Sequence, residues 1–505
     1  MIGSDRSTLK TRSRLLSRMR QSVHYYIGID GGAGANLLAD LAGRNPYLQQ
    51  VSSPRQADLL ILVEPISQKL APAVVTLAKA LAHPAHVLIV GGSPTERPAF
   101  PEGNFALLDA LFPGAHHAPA TSIEQVLRSA LSSQQWAEMS INETLGQEET
   151  TIQLPAKQDQ EMATELAVLS LGPLQAWTAG PLRLFLICDG EQVFSVQMET
   201  EYAYRGIDSA MMQSNWQQGL RLARHVDPLA PLAGQLAYVR ALEELQGWQP
   251  SAQLETYREL ALALERTQNT LWWLVRFARL IDDAPLAERS YRCVRDLAEG
   301  VSSLWQMHPS EWMLPQYVPT NIVGSQNAAT IAQLRQVANM LPHVQHYVEQ
   351  NRGLALRIRG IGTLPTHSLR DKGIGSGPVY AASEHGTGDV QSRLITRLQA
   401  AVNDVQQAVE TITTQIPAGL HLQQDPRWDV LEGEARVTVE GPRGTLGLSL
   451  VSQGGEESQG PTRVEWQRPS ASLLTLLPEL LVGQKLADAE VILASLDLAM
   501  AEVDG

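Results

Sequence analysis

The chain has 505 residues, 44% of them hydrophobic and 18% charged, which excludes a disordered polymer and at this length calls for more than one core. A net charge of −14 argues against general nucleic-acid binding, because phosphate contacts need a basic face. Only two cysteines occur, Cys188 and Cys293; they lie far apart and match no metal-ligand spacing.

The charge is unevenly spread. Arg6, Lys10, Arg12, Arg14, Arg18 and Arg20 face a single acid, Asp5, within residues 1–20, and Arg6, Lys10, Arg14 and Arg18 form one stripe if the segment is helical. Such a stripe suits a tether to anionic lipid or to an acidic partner surface, and equally a solvated tail. No apolar stretch of signal-peptide type follows it.

From residue 22 to 135 strands and helices alternate. Residues 23–29 read as a strand, 30–34 as a glycine-rich turn, 35–42 as a helix, 59–63 as a buried strand, 71–81 as a helix and 87–90 as a third strand ending at Gly91-Gly92. Apolar strands closed by glycine turns ahead of helices predict a doubly wound parallel α/β domain. His83 and His86 flank Pro84 as a helix end, and His116-His117 reads as a surface loop, since adjacent histidines chelate one metal poorly. Residues 142–165 turn polar, so 136–168 is the expected linker.

Beyond it, 182–187 and 192–196 flank Asp189-Gly190, a two-residue hairpin signal. Residues 207–300 and 328–350 carry long helical patterns, with Trp272-Trp273 as core aromatics. Strands at 435–439 and 446–451 join through the turn 441–444, and helical stretches at 473–481 and 491–496 follow. This predicts an α+β, mainly helical C-terminal domain over 169–505. No stretch is long and apolar enough to span a membrane.

The turn Asp30-Gly31-Gly32-Ala33-Gly34 supplies G-x-G, but Leu37 stands where a dinucleotide fingerprint needs its third glycine, and no P-loop lysine follows. Nucleotide binding is not expected. Serine–histidine coincidences such as Ser22 and His24 lack a G-x-S-x-G elbow.

Residues 24–41, the stretch Ser53-Pro54-Arg55-Gln56-Ala57-Asp58 with strand 59–63, residues 66–72 and strand 87–91 together resemble the cluster-carrying small subunit shared by complex I and membrane-bound nickel–iron hydrogenases. The resemblance covers about residues 22–130, and places the family's four cluster cysteines at Asp30, Ala33, Ser93 and Ala118. A four-iron cluster needs thiolates, and residues 1–187 contain no cysteine.

The remainder resembles the large partner, the quinone-site subunit of complex I, homologous to the hydrogenase large subunit. Gly172-Pro173 with Asp189-Gly190-Glu191 matches its opening hairpin, and Tyr202-Ala203-Tyr204-Arg205-Gly206-Ile207-Asp208 resembles its G-Y-x-H-R-G-I-E. Gly388-Asp389-Val390 with Arg393 and Arg397, Val439-Glu440-Gly441-Pro442-Arg443-Gly444, and the run from Ser495 to Asp504 carry the match onward. On this resemblance the four nickel–iron thiolates fall at Asp227, Ala230, Ala499 and Glu502. The quinone-binding histidine falls at Gln175, which cannot donate a proton near neutrality, and the tyrosine near Leu222. The interval between Gly377-Pro378 and Gly388 is short, so a cavity-lining loop is missing.

The resemblance therefore implies a fused small and large subunit without iron–sulfur cluster or nickel–iron centre. The expected role is that of a redox-inactive peripheral subunit on the cytoplasmic face of the cell membrane, docked on antiporter-like or complex I-like integral subunits and coupling to or scaffolding ion translocation. The alternative is a divergent NADH:quinone oxidoreductase-type subunit with a residual quinone or electron-carrier site between its domains.

Overall fold

The computed structural model describes residues 21–26, 48–51, 54–57, 59–81, 86–91, 105, 108–113, 115–119, 166–174, 177–304, 327–414, 430–455 and 460–505. The basic segment 1–20, the turn 30–34, Ser93, most of the expected linker and Gln175 lie outside these residues.

The N-terminal unit is built from β1 (Gln21–Tyr26), β2 (Leu48–Gln50), β3 (Leu59–Val63), α1 (Ala71–Lys79), β4 (His86–Gly91), α2 (Leu108–Leu111) and β5 (His116–Pro119). Its strands form one parallel sheet in the order β2-β1-β3-β4-β5. All five residues of β3 and the inner four of β4 are buried, the pattern of strands covered on both faces rather than of a half-solvated sheet. In helix α1, Pro72 sits in the first turn and Val74, Val75 and Ala78 face inward. This strand order has its topological switch between β1 and β3.

Two histidine expectations are corrected. His86 opens β4, pairing with Leu59 of β3, and His116-His117 lies in the edge strand β5, paired with Leu88 and Ile89. His117 Nε2 lies 2.7 Å from Asp109 Oδ1. Neither assignment is visible locally, because only parallel pairing with a distant strand makes these short polar stretches extended.

The second unit opens with an antiparallel sheet of β6 (Leu166–Leu171), β7 (Arg183–Asp189) and β8 (Gln192–Glu199). Strand β6 starts inside the stretch expected as linker up to 168; its partner β7 makes it a strand. Gly190, at φ +57°, supplies the left-handed position that the two-residue turn demands.

Helices follow: α3 (Ile207–Met212), α4 (Trp216–Ala223), α5 (Pro231–Leu245), α6 (Ala252–Leu280), α7 (Ala284–Leu304), α8 (Asn327–Gln350), α9 (Arg352–Ile358), α10 (Thr366–Asp371), α11 (Gly377–Glu384) and α12 (Val390–Thr414). Ser251 caps α6, its hydroxyl accepting from Leu254 N at 3.2 Å, and Asp389 caps α12, accepting from Ser392 N at 2.8 Å. Both Trp272 and Trp273 are buried on α6.

A meander of β9 (Val430–Gly441), β10 (Gly444–Gly455) and β11 (Arg463–Gln467) packs on α5. The helical run expected over 473–481 is broken into α13 (Pro469–Leu474) and α14 (Leu477–Leu481), with Pro478, which has no N–H to donate, in the first turn of the second. Helices α15 (Leu486–Ser495) and α16 (Met500–Asp504) complete the fold. Among the described residues no helix is long and apolar enough to cross a membrane.

Candidate functional site

Two pairs of positions, far apart in sequence, converge in the second unit. Asp227 lies in the turn between α4 and α5, Ala230 stands at the N-cap of α5, Ala499 at the N-cap of α16, and Glu502 lies on α16. Ala499 is held by a two-residue bridge to Ala179: Ala179 N donates to Leu498 O, and Met500 N to Ala179 O, both at 2.8 Å.

Between these positions sits Arg443, delivered by the turn joining β9 to β10. Its Nη1 donates to Asp227 Oδ2, and its Nε donates to Asp497 O at 2.7 Å and lies 3.6 Å from Asp497 Oδ2. Asp497, in the left-handed region at φ +56°, also faces Arg397 Nη1 and Arg276 Nη2, each at 3.4 Å. Arg397 stacks over the Trp273 ring at 4.8 Å and donates to Leu496 O at 2.9 Å. Glu502 is held by a serine instead: its Oε2 accepts from the Ser470 hydroxyl and from Ser470 N at 3.3 Å. Glu265 of α6 accepts from the first-turn N–H groups of α5, Leu232 at 2.8 Å and Ala233 at 3.1 Å.

The electrostatics follow from this geometry. Burial pushes the Glu502 carboxyl up to about 7, with Asp227 adding repulsion and Arg443 opposing it. Burial likewise pushes Glu265 up to about 8 against the two helix N–H groups, and Asp227 adds to the rise. For Arg443 burial acts downward, but Asp227, Asp497 and Glu502 together hold its guanidinium well above the ordinary value. Arg397 is drawn down to about 10 by burial, with Asp497 resisting.

This donor set does not fit a thiolate-held metal centre. Ala230 and Ala499 offer methyl groups, Asp227 is committed to Arg443, and Glu502 to Ser470. Among the described residues no group of three or more His, Cys, Asp or Glu is arranged to hold a metal ion. Ala118, at the fourth cluster position, is a buried residue of β5, while Asp30, Ala33 and Ser93 lie outside the described residues. Cys188 in β7 and Cys293 in α7 are buried, and burial lifts both thiols, Cys293 to about 12.

Of the two positions the resemblance gives to a quinone, Gln175 lies outside the described residues. Leu222 is buried on α4 and has no proton to give. Beside Asp497, Arg276, Trp177 and Trp273 the free volume is about 10 Å³, room for about one water.

The segment 199–206 joins this centre to the N-terminal unit. Ser67 Oγ, in the loop leaving β3, donates to Tyr202 O at 2.6 Å. Lys69 Nζ donates to Thr200 O at 2.7 Å, lies 3.3 Å from Glu199 Oε1 and stands 4.7 Å over the Tyr202 ring. From the other side, Asp504 of α16 accepts from Glu201 N at 2.9 Å and Ala203 N at 2.7 Å, and Arg205 Nη2 donates to Ala501 O at 2.7 Å. Burial lifts the Asp504 carboxyl to about 6 against these N–H groups.

Sequence reasoning places Asp227 and Glu502 but misses Arg276, Arg443 and Asp497 as parts of one cluster. A usable signal exists: Arg393 and Arg397 recur four apart on an otherwise apolar helix face, and Arg443 sits in a glycine–proline turn.

Comparison with known proteins agrees with the fold. Residues 395–505 match the family described as respiratory-chain NADH dehydrogenase, 49 Kd subunit. A NADH-quinone oxidoreductase subunit of Chloroflexus aurantiacus is 27% identical over 396 residues, covering 68% of this chain and 95% of the relative. NADH-quinone oxidoreductase subunit 4 of Thermus thermophilus is 27% identical over 420 residues, covering 71% and 98%. Among solved structures, a chain of the membrane-bound sulfane sulfur reductase, an archaeal respiratory membrane complex, shares the fold with a TM-score of 0.59 at 21% identity, covering 68% of this chain and 100% of that one. Over its C-terminal part, then, the chain is homologous to these NADH-quinone oxidoreductase subunits, and its helical C-terminal part is consistent with the 49 kDa-type fold.

Proposed function

We propose that the chain is a redox-inactive peripheral subunit of a complex I-like or energy-converting-hydrogenase-related membrane complex. In this reading it fuses a small-subunit-like unit to a quinone-site-type large unit. It holds no iron–sulfur or nickel–iron centre, and it scaffolds or couples to ion-translocating integral subunits on the cytoplasmic face of the membrane. The homology to NADH-quinone oxidoreductase subunits supports the complex I-like part, and the fold shared with a chain of a respiratory membrane complex supports a partner in the membrane.

One observation carries the redox-inactive part: Arg443 fills the space between Asp227, Asp497 and Glu502, where the large-subunit resemblance calls for four thiolates. A cation already clamped by two carboxylates leaves a second cation neither ligands nor room. The second union, between Ser67, Lys69 and the 199–206 segment, gives the two units a fixed contact made by the chain's own side chains.

The test is purification from native membranes. Co-elution with integral membrane subunits, metal-free elemental analysis and a featureless visible spectrum are expected. An iron–sulfur spectrum overturns the redox-inactive reading, and elution as a free monomer overturns the peripheral-subunit reading. A melting temperature raised by a short-chain quinone favours the quinone-site alternative instead.

A further inference from the structure

Away from this centre, helices α6, α7, α8 and α9 meet at one end of the helical body. Tyr347 of α8 donates to Asp283 Oδ1, ahead of α7, at 3.0 Å, and the Arg289 guanidinium of α7 lies 5.2 Å over the Tyr347 ring. Arg357 of α9 donates to Ile281 O, just past α6, which fixes α9 at this same end. Between α7 and α8 runs an open groove of about 500 Å³ lined by the apolar Pro285, Met340 and Val344 and by the polar Glu288, Arg289, Arg292 and His343.

Helix α9 turns Leu354 and Ile358 inward and leaves Leu356 88% exposed. Arg352, Leu356 and Arg359 follow one another by four and three residues, so the leucine stands on a helix face between two exposed arginines. Exposed Arg279, Arg289, Arg292, Arg352, Arg357 and Arg359 gather at this end against Asp282, Asp283, Glu288 and Glu349, a local positive balance in a chain of net charge −14. Arg292 and Glu288 pair with each other at 2.9 Å, and Asp283 accepts from Tyr347, so the balance rests on the remaining arginines.

We propose that this end of the helical body binds an anionic phospholipid surface. Leu356 enters the headgroup–acyl boundary, Arg352 and Arg359 lie against phosphates on either side of it, and the α7–α8 groove takes a headgroup on its arginines with an acyl segment on its apolar residues. Charge complementarity selects the anionic leaflet. A single leucine standing clear of the surface suits insertion into lipid, whereas a protein partner would call for a contiguous apolar patch. The inference concerns the chain alone and does not depend on its assembly with other subunits.

The test is sedimentation of the full chain with vesicles of phosphatidylcholine, with and without phosphatidylglycerol. Binding is expected only to the anionic vesicles, with salt weakening it. Leu356→Ser with Arg352→Ser is expected to lower the affinity about tenfold or more, and Arg289→Ser with Arg292→Ser to weaken it as well. All four side chains are exposed, so both variants stay folded, the Arg289/Arg292 pair losing only the Tyr347 and Glu288 contacts and slightly lowering the melting temperature. Arg14→Ser with Arg18→Ser, in the basic N-terminal segment, is expected to leave binding at α9 intact. Two results overturn the proposal. One is no binding to anionic vesicles, which would make this a docking face for an acidic protein. The other is a loss that follows the Arg14/Arg18 pair and not Leu356. Neither result bears on co-purification with integral subunits, which tests the subunit role separately.

Discussion

Arg443 donates to the carboxylate of Asp227 although 216 residues separate them in the chain, and both are buried. Taking two charges out of water is costly, so such a pair persists only where further bonds satisfy the remaining groups. Here Asp497 O takes the Arg443 Nε–H and Asp227 Oδ1 accepts from Leu229 N at 3.0 Å, while Arg443 Nη2 has no hydrogen-bond partner among the described residues.

Breaking this pair from one side is expected to be severe. Arg443→Met should cost about 3–5 kcal/mol in urea unfolding, because it leaves the buried Asp227 carboxylate without its partner, and Asp227→Asn should cost less, because Arg443 keeps Asp497. The double variant Asp227→Asn/Arg443→Met should cost clearly less than the sum of the two singles. Additive losses would show that the two side chains do not interact.

The pH dependence of stability is set in part by Glu265. Its carboxyl is raised in the folded protein to about 8 from an ordinary value of 4.5, so the folded state holds a proton that the unfolded chain has released. The contribution is complete below about 4.5 and is lost as pH rises toward about 8. Glu265→Gln should flatten the decline of the unfolding free energy between those pH values. An unchanged slope would show that Glu265 ionises normally.

Contact between the two units depends on Ser67. Ser67→Ala removes the donor to Tyr202 O and should cost about 1 kcal/mol. Amide exchange within 199–206 should speed up, while β9 and β10 stay protected. Unaltered exchange there would mean that the contact is not holding the segment.

Close packing between α4 and α5 makes two glycines unequal. A Cβ at Gly234 would stand 2.2 Å from the backbone oxygen of Ala223, whereas one at Gly219 would stand 2.2 Å from Tyr238 Oη. Gly234→Ala is therefore expected to cost more than Gly219→Ala, each about 1–3 kcal/mol by thermal unfolding. Tyr238→Leu should recover part of the Gly219→Ala loss, since only there is the obstacle a side chain.

Strands β3 and β4, the Asp189-Gly190 hairpin, α6 and the β9–β10 turn are legible in sequence because each rests on local periodicity or turn chemistry. Strand β6 and the edge strand β5 are not, because pairing with β7 and β4 makes them strands. The break between α13 and α14 is signalled by Pro478 and hidden by the apolar run around it.

The sequence by itself determined what the centre lacks: with only Cys188 and Cys293 in 505 residues, the missing thiolates follow from composition and need no fold. What stands there instead was decided only in three dimensions. Arg443, Asp497, Arg397 and Arg276 come from a β-turn and the ends or faces of separate helices, and each alone is an ordinary charged residue. Burial makes them a cluster, because a charge removed from water must find its counter-charge wherever in the chain that lies.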